Sequence, residues 1–105
     1  MKPEDQRILR EFAARVREVQ PRARVWAFGS RARGDAKPDS DLDLCVVVPQ
    51  VTPELRRRIR AFAWEIGFAR ERVLTTVILP EEEFENGPIS ASTLVRNIHA
   101  EGVAA

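Results

Sequence analysis

The sequence predicts one α/β domain of the α+β kind, covering residues 1–105, because helical and strand patterns alternate along it. Apolar residues recur at helical spacing near both ends of the chain and once in its middle. Three short apolar runs between these segments are typical of strands: residues 24–28, 41–48 and 72–79. A chain of 105 residues, of which 44% are apolar, is long enough to bury one core.

The first helix is predicted for residues 4–19 and the first strand for residues 24–28. Pro3 stands at the helix start, where its missing N–H does no harm, and Pro21 ends the helix. The residues that share the apolar face of this helix are Ile8, Leu9, Phe12, Ala13 and Val16. Residues 30–40 follow as a predicted loop that can open with a helical turn.

A second strand, a second helix and a third strand come next. Residues 41–48 become apolar on both faces after the first three positions, which predicts a central, covered strand. Thr52 as a cap and Pro53 at the first position begin a helix that we expect to end near Gly67. Its predicted inner face is Leu55, Ile59, Phe62, Ala63 and Ile66. Its arginines indicate a solvated outer face or, alternatively, a partner or RNA surface: Arg56, Arg57, Arg58 and Arg60. The third strand is predicted for residues 72–79.

The C-terminal quarter is predicted to hold two more helices. Residues 80–84 resemble a short helix with acids at its positive end, and residues 86–88 break the pattern. Ser90 or Ser92 caps a last helix that runs to about Glu101, with an inner face of Leu94, Val95 and Ile98.

The isolated aromatic and reactive residues are expected to be structural. Trp26 and Trp64 occupy predicted core positions, and Cys45 lies inside an apolar strand. His99 has no His or Cys partner for a metal, so we expect it at the surface or at a helix end. One cysteine cannot form an internal disulfide, which fits a reducing cytoplasm. No apolar stretch could span a membrane, and a net charge of +1 does not call for a nucleic-acid partner.

The most informative segment joins the first two strands. Gly29 and Ser30 end one strand, and Asp41 and Asp43 begin the next. Residues i and i+2 of a strand point to one face, about 6.5–7 Å apart, so the two acids lie side by side. Their repulsion is relieved by a divalent cation, and hard oxygen ligands suit Mg²⁺. A phosphate-cradling turn beside a magnesium-binding acid pair predicts a phosphoryl- or nucleotidyl-transfer site.

A calcium loop is the competing interpretation of these acids. Asp39, Asp41 and Asp43 match the start of an EF-hand loop. That loop needs Gly at its sixth position and Glu at its twelfth, whereas this chain has Leu44 and Gln50 there. The sequence therefore excludes an EF-hand.

The complete spacing is Gly29-Ser30-x-x-x-Gly34-x-x-x-x-x-Ser40-Asp41-x-Asp43. It resembles the signature of the minimal nucleotidyltransferase (MNT) branch of the superfamily related to DNA polymerase beta. The order of predicted elements extends the resemblance over most of the chain. The resemblance implies a nucleotidyltransferase fold, in which a small mixed β-sheet has helices packed on one face and a cleft on the other.

The resemblance also implies roles for the motif residues. Gly29 and Ser30 would bind the nucleotide phosphates in the cleft. Asp41 and Asp43, the expected catalytic residues, would hold Mg²⁺ between the α-phosphate and the pyrophosphate. Basic residues of the same loop would clamp the triphosphate, or would only keep the loop soluble: Arg31, Arg33 and Lys37.

Active relatives carry a third carboxylate on the strand after the second helix, but residues 73–79 contain no acid. Thr75 and Thr76 lie on opposite faces of that strand, so only one of them can face the cleft. A threonine hydroxyl is a weak, neutral ligand and cannot act as a carboxylate base. Other acids that could reach the site are Glu65, Glu71 and Glu81 to Glu83.

The sequence is compatible with two functions. The first is an enzyme that transfers a nucleoside monophosphate, AMP from ATP, to a hydroxyl on a partner protein or another acceptor. The resemblance places such an enzyme as the antitoxin of a HEPN/MNT toxin–antitoxin pair, with a helical HEPN protein or a second copy as partner. The alternative is a degenerate, non-catalytic nucleotide-binding module that acts by binding its partner.

Overall fold

The computed structural model describes residues 1–105, and the predicted elements occur in the predicted order. The helices and strands are α1 (Pro3–Val19), β1 (Arg24–Phe28), α2 (Ser30–Arg33), β2 (Leu42–Val48), α3 (Pro53–Arg70), β3 (Leu74–Pro80), α4 (Glu81–Glu85), a 3-10 helix (Pro88–Ala91), α5 (Thr93–Glu101) and β4 (Val103–Ala104).

Side-chain caps fix the starts of two helices. The hydroxyl of Thr52 accepts a hydrogen bond from the Leu55 N–H at 3.1 Å, as expected for the start of α3. The hydroxyl of Ser92 accepts from Val95 N–H at 3.2 Å, so Ser92 rather than Ser90 caps α5. Helix α3 continues to Arg70, three residues past the predicted end. The helix ends there because the next residue, Glu71, adopts a left-handed backbone conformation with φ 56°.

The four strands form one mixed sheet in the order β3-β2-β1-β4. Strand β2 is central: it pairs antiparallel with β1 and parallel with β3. The predicted mixed sheet is therefore confirmed. Strand β4 was not predicted, because its two residues are too short for a periodic pattern. It pairs with β1 through Val103 and Ala104, and the Ala105 N–H donates to Val25 O at 3.0 Å.

Alternate residues of β2 enter two different apolar clusters. Leu42, Leu44, Val46 and Val48 face α1 and α3, which form the larger cluster. Cys45 and Val47 face the opposite side, where Phe84 of α4 and two residues of α5 form a smaller cluster, Val95 and Ile98. The two long helices thus pack on one face. The short helices cover only part of the other face, and the start of β2 stays half-buried there.

The two tryptophans differ in burial. Trp26 is half-buried and stacks on Phe84 with ring centroids 5.2 Å apart. The prediction of a core position was wrong for Trp64, which is 68% exposed. At 100° per residue, position 64 of α3 lies on the far side from Ile59 and Ile66, so an aromatic residue there points to solvent. The arginines of α3 that were predicted to lie on its outer face are mostly exposed.

Two further expectations for single residues are confirmed. Cys45 is completely buried, and His99 lies exposed in the last turn of α5. None of the helices combines the length and the apolar character that crossing a membrane requires.

Candidate active site

Three strands bring the motif together. In the sheet, Asp43 of β2 stands opposite Phe28 at the end of β1 and opposite Thr75 near the start of β3. The hydroxyl of Thr75 donates a hydrogen bond to Asp43 Oδ1 at 2.6 Å. Thr75 is therefore the threonine on the cleft side. Thr76 lies on the other face of β3, where it lines a groove against α3.

Gly29 is in direct contact with the Asp43 carboxylate. Its backbone has φ 79° and ψ −161°, a conformation that is essentially restricted to glycine. A Cβ at this position would overlap Asp43 Oδ2. The turn and the acid are thus parts of one site, and a side chain at position 29 would separate them.

Ser30 begins the short helix α2 directly after this turn. The Arg33 N–H donates to Gly29 O at 3.1 Å, and the Gly34 N–H donates to Ser30 O at 2.9 Å. Gly34 then ends α2 in a left-handed conformation with φ 87°. The hydroxyl of Ser30 has no hydrogen-bond partner in the protein, and the residue is half-buried, so this hydroxyl can donate to a ligand.

Asp41 lies just before β2, and its exposed side chain makes no hydrogen bond or ion pair with the protein. The backbone beside it is fixed, because the Leu42 N–H donates to Val73 O at 2.9 Å. We refer to Asp41 and Asp43 as the acid pair. The acid pair has no carboxylate, His or Cys neighbour that would complete a three-residue metal cluster.

The other acids considered as a third ligand do not join the acid pair. Glu65 pairs with Arg15 of α1 at 2.7 Å, on the outer side of the helix layer. Glu81 faces Arg22 at 3.4 Å. The side chain of β3 that contacts the acid pair is that of Thr75, through its hydroxyl.

The donor set fits one Mg²⁺. Mg²⁺ is commonly bound by one or two carboxylates together with substrate phosphates and water. Asp41 and Asp43 supply two carboxylates, and Thr75 holds one oxygen of Asp43 in place. Two closely spaced metal ions would need further anionic ligands, which this site does not contain.

Arg31 does not support the triphosphate contact that the sequence suggested for it. Its side chain is only 3% exposed and pairs with Asp5 Oδ2 at 3.2 Å. Its Nε donates to Ser40 O at 2.7 Å, and its Nη2 donates to Pro38 O at 3.0 Å. Since all three guanidinium nitrogens have internal partners, Arg31 holds the loop that leads into Asp41 instead of facing a ligand.

Asp5 was missed by the sequence analysis, because an acid in a first helical turn is ordinarily a solvated one. Here it is 1% exposed and also accepts a hydrogen bond from Arg72 Nη1 at 2.7 Å. We refer to Asp5, Arg31 and Arg72 as the charge cluster. It joins the start of α1 to the motif loop and to the segment before β3, and so ties together the chain segments that carry the site.

Arg33 remains open to solvent beside the motif turn. It pairs with Asp35 and with Glu101, each at 3.3 Å. The hydrogen bond to Asp35, followed by that to Glu101, raises the pKa of the Arg33 guanidinium above its ordinary value. Arg33 is therefore always charged, and of the two arginines predicted to bind the nucleotide it is the accessible one. Lys37 is also exposed and has no ion pair.

Cys45 follows Asp43 on the same face of β2 but lies under α4 and α5. Burial raises the pKa of its thiol to about 12, so the group is neutral and unreactive near pH 7. The open part of this face thus ends between Asp43 and Cys45.

A family model described as a nucleotidyltransferase domain matches residues 9–104. The chain therefore belongs to the nucleotidyltransferase domain family. The match confirms the superfamily that the Gly-Ser and Asp-x-Asp motif predicted.

One similar protein is the probable protein adenylyltransferase MntA of Haemophilus influenzae, which is 50% identical over 32 residues. That alignment spans 30% of this chain and 28% of the relative's length. A toxin–antitoxin crystal structure with AMP-PNP matches with a TM-score of 0.62 and 19% identity, covering 90% of this chain and 69% of that one. A tri-AMPylated Shewanella oneidensis HEPN toxin in complex with MNT antitoxin matches with a TM-score of 0.57 and 17% identity, covering 95% and 70%. These likenesses confirm the fold.

Proposed function

We propose that this chain transfers AMP from ATP to a hydroxyl group of a partner protein. The observation that carries the proposal is the direct packing of the Gly29 turn against Asp43, with Asp41 unpaired beside it. This arrangement puts a place for phosphates next to a place for a divalent cation. The name of the Haemophilus relative, a probable protein adenylyltransferase, supports AMP as the transferred group.

The residues of the site would bind different parts of the nucleotide and its metal ion. The Gly29 backbone and the free Ser30 hydroxyl bind phosphate oxygens, and the exposed Arg33 would exchange its partners Asp35 and Glu101 for a phosphate at the open side. Asp41 and Asp43 would hold Mg²⁺, which when bound offsets the negative charge of the triphosphate and orients it for in-line attack. Thr75 donates to Asp43 and thereby fixes the direction in which that carboxylate points.

Thr75 also limits the chemistry. A neutral hydroxyl cannot take a proton from the attacking acceptor, so the site contains positioning and charge stabilisation but no general base at this position. We therefore expect slow transfer by the isolated chain. A partner that supplies both the acceptor hydroxyl and a nearby base would raise the rate.

We propose a helical HEPN-type protein as that partner. Asp43 is half-buried and so remains partly accessible, and the chain's structural neighbours include an MNT antitoxin in complex with an AMPylated HEPN toxin. The site lies on the sheet face that the short helices only partly cover, so a partner can approach it without moving α1 or α3.

The second candidate is a non-catalytic module that binds ATP and its partner. The presence of Thr75 where a carboxylate would complete the metal site favours it. The two functions share their ligand and their partner and differ only in whether a covalent bond forms.

A single assay distinguishes them. The chain is incubated with ATP, Mg²⁺ and a HEPN-type protein encoded beside it, and the partner's intact mass is measured. An increase by one or more AMP groups that is lost in Asp41→Asn/Asp43→Asn supports the enzyme. The exposed neighbour Asp39, changed to Asn, is the matched control and should leave transfer unchanged.

Calorimetry completes the assay. Mg²⁺-dependent ATP binding without a mass increase would establish the binding module instead, provided that the double variant no longer binds. ATP binding that survives Asp41→Asn/Asp43→Asn would place the nucleotide elsewhere and refute both candidates. The double variant should fold as stably as the wild type, because the change removes a like-charge repulsion.

A further inference from the structure

Three of the four large apolar side chains that are exposed lie together on α3 and just before β3. Trp64, Phe68 and Val73 are 68%, 75% and 62% exposed. The rings of Trp64 and Phe68 stack with centroids 5.3 Å apart. A groove of about 480 Å³ runs beside them between α3 and β3. Exposed apolar side chains gathered in one patch mark an interaction surface more often than scattered ones do.

The sheet edge beside this groove is also without a partner. Strand β3 is the outermost strand and pairs only with β2, so one row of its N–H and C=O groups faces away from the sheet. Unpaired strand edges next to apolar side chains tend to associate with a second strand or to be covered. The helix face and the strand edge together form one surface, which we call the α3–β3 face.

The charged residues beside the α3–β3 face make it complementary to a second copy of itself. Arg57 is exposed near the start of α3, and Glu71, the exposed residue directly after α3, lines a groove together with Phe68 and Val73. Neither Arg57 nor Glu71 makes an ion pair within the protein. Trp64 is equidistant from them in sequence, seven positions from each. If two α3 helices pack antiparallel with Trp64 against Trp64, Arg57 of each copy meets Glu71 of the other. The same register places Arg60 of one copy over Phe68 of the other.

We propose that the α3–β3 face binds a second copy of this chain through a two-fold axis at Trp64. Such an interface is isologous, because each surface carries both partners of every contact. The four aromatic rings from two copies would bury roughly 400–700 Å² of the 1,200–2,000 Å² typical of a specific interface, and the helices and strand edges supply the rest. The proposal does not depend on AMP transfer, because Thr76 on this face and Thr75 in the site lie on opposite sides of β3.

The test is sedimentation of the full chain over a range of concentrations. The wild type should sediment as a dimer in reversible equilibrium with monomer. Trp64→Glu should raise the dissociation constant about 100-fold, because it puts two carboxylates at the centre of the interface. Arg58 lies on another side of α3, so Arg58→Glu is the matched control and should leave the dissociation constant unchanged.

A charge exchange tests the register. Arg57→Glu alone and Glu71→Arg alone should each weaken the dimer about tenfold, and the double variant Arg57→Glu/Glu71→Arg should restore it. A wild type that stays monomeric at every concentration overturns the proposal, even if it then binds a helical partner through Trp64. A dimer that is insensitive to Trp64→Glu, or a double variant that is weaker than either single one, overturns it as well.

Discussion

The charge cluster and the acid pair contain similar groups in opposite surroundings. In the charge cluster, Asp5 is buried and each of its oxygens accepts a hydrogen bond from an arginine. In the acid pair, Asp41 has no partner in the protein and Asp43 has only the Thr75 hydroxyl. Satisfied charges hold chain segments in fixed positions, whereas unsatisfied charges at a surface are available to a cation or a ligand. The charge cluster therefore holds the site in shape, and the acid pair is the part of the site that can bind a ligand.

The largest expected effect comes from breaking the charge cluster. Asp5→Ala leaves Arg31 and Arg72 without their shared carboxylate, which should lower the free energy of unfolding by about 3–5 kcal/mol. Urea denaturation followed by circular dichroism measures this change. As a control, Glu11→Ala removes an exposed pair with Arg70 and should cost under about 1 kcal/mol. Equal losses in the two variants would show that the charge cluster is no more structural than a surface pair.

Gly29→Ala tests the junction between the two regions. The conformation at Gly29 is strained for any other residue, so we expect a loss of about 1–3 kcal/mol in the free energy of unfolding. The added Cβ also displaces the Asp43 carboxylate, so Mg²⁺-dependent ATP binding should disappear in calorimetry. Gly34→Ala is a useful control, since it has a positive φ as well but no atom near its Cβ. Retained binding in Gly29→Ala would contradict the contact between turn and acid.

Thr75→Asp and Thr76→Asp form a matched pair on neighbouring positions of β3. Thr75→Asp puts a third carboxylate beside Asp43, so it should lower the melting temperature without metal and show a larger Mg²⁺-dependent rise than the wild type. Thr76→Asp faces the groove near Arg60 and Arg72 and should cost about 1 kcal/mol with no response to metal. Thermal melts with and without Mg²⁺ measure both. The same metal response in both variants would mean that Thr75 is not the cleft-facing residue.

The smallest expected effect concerns Cys45, which marks the closed end of the site face. Burial raises the pKa of its thiol to about 12, compared with an ordinary value of 9.0. Because the pKa is raised in the folded state, the folded protein holds the thiol proton at pH values where the unfolded chain has lost it. The free energy of unfolding therefore falls as the pH rises from 9 toward 12. Native protein at pH 8 should therefore react with a thiol reagent only through unfolding. Rapid labelling would show that α4 and α5 open readily beside Asp43.

The local elements and the motif were predictable, because they depend on short-range patterns. Helical spacing predicted α1 and α5, and caps at Thr52 and at either Ser90 or Ser92 predicted helix starts. The spacing between Gly29 and Asp43 predicted a turn and two acids on adjacent strands, and the structure places Gly29 in contact with Asp43. The predicted end of α3 at Gly67 was wrong, because residue type alone does not show whether a glycine ends a helix or lies inside it.

The sequence by itself determined the order of elements, the pairing of a Gly-Ser turn with two acids in the motif, and the absence of an acid on β3. The tertiary structure alone decided which threonine faces the site, where Trp64 points, and that Arg31 is bound by Asp5. The two charge-cluster contacts join residues 26 and 67 positions apart, and no periodic pattern links them. Their partners are chosen when helices and sheet pack, because a buried charge must find its counter-charge wherever the fold places one.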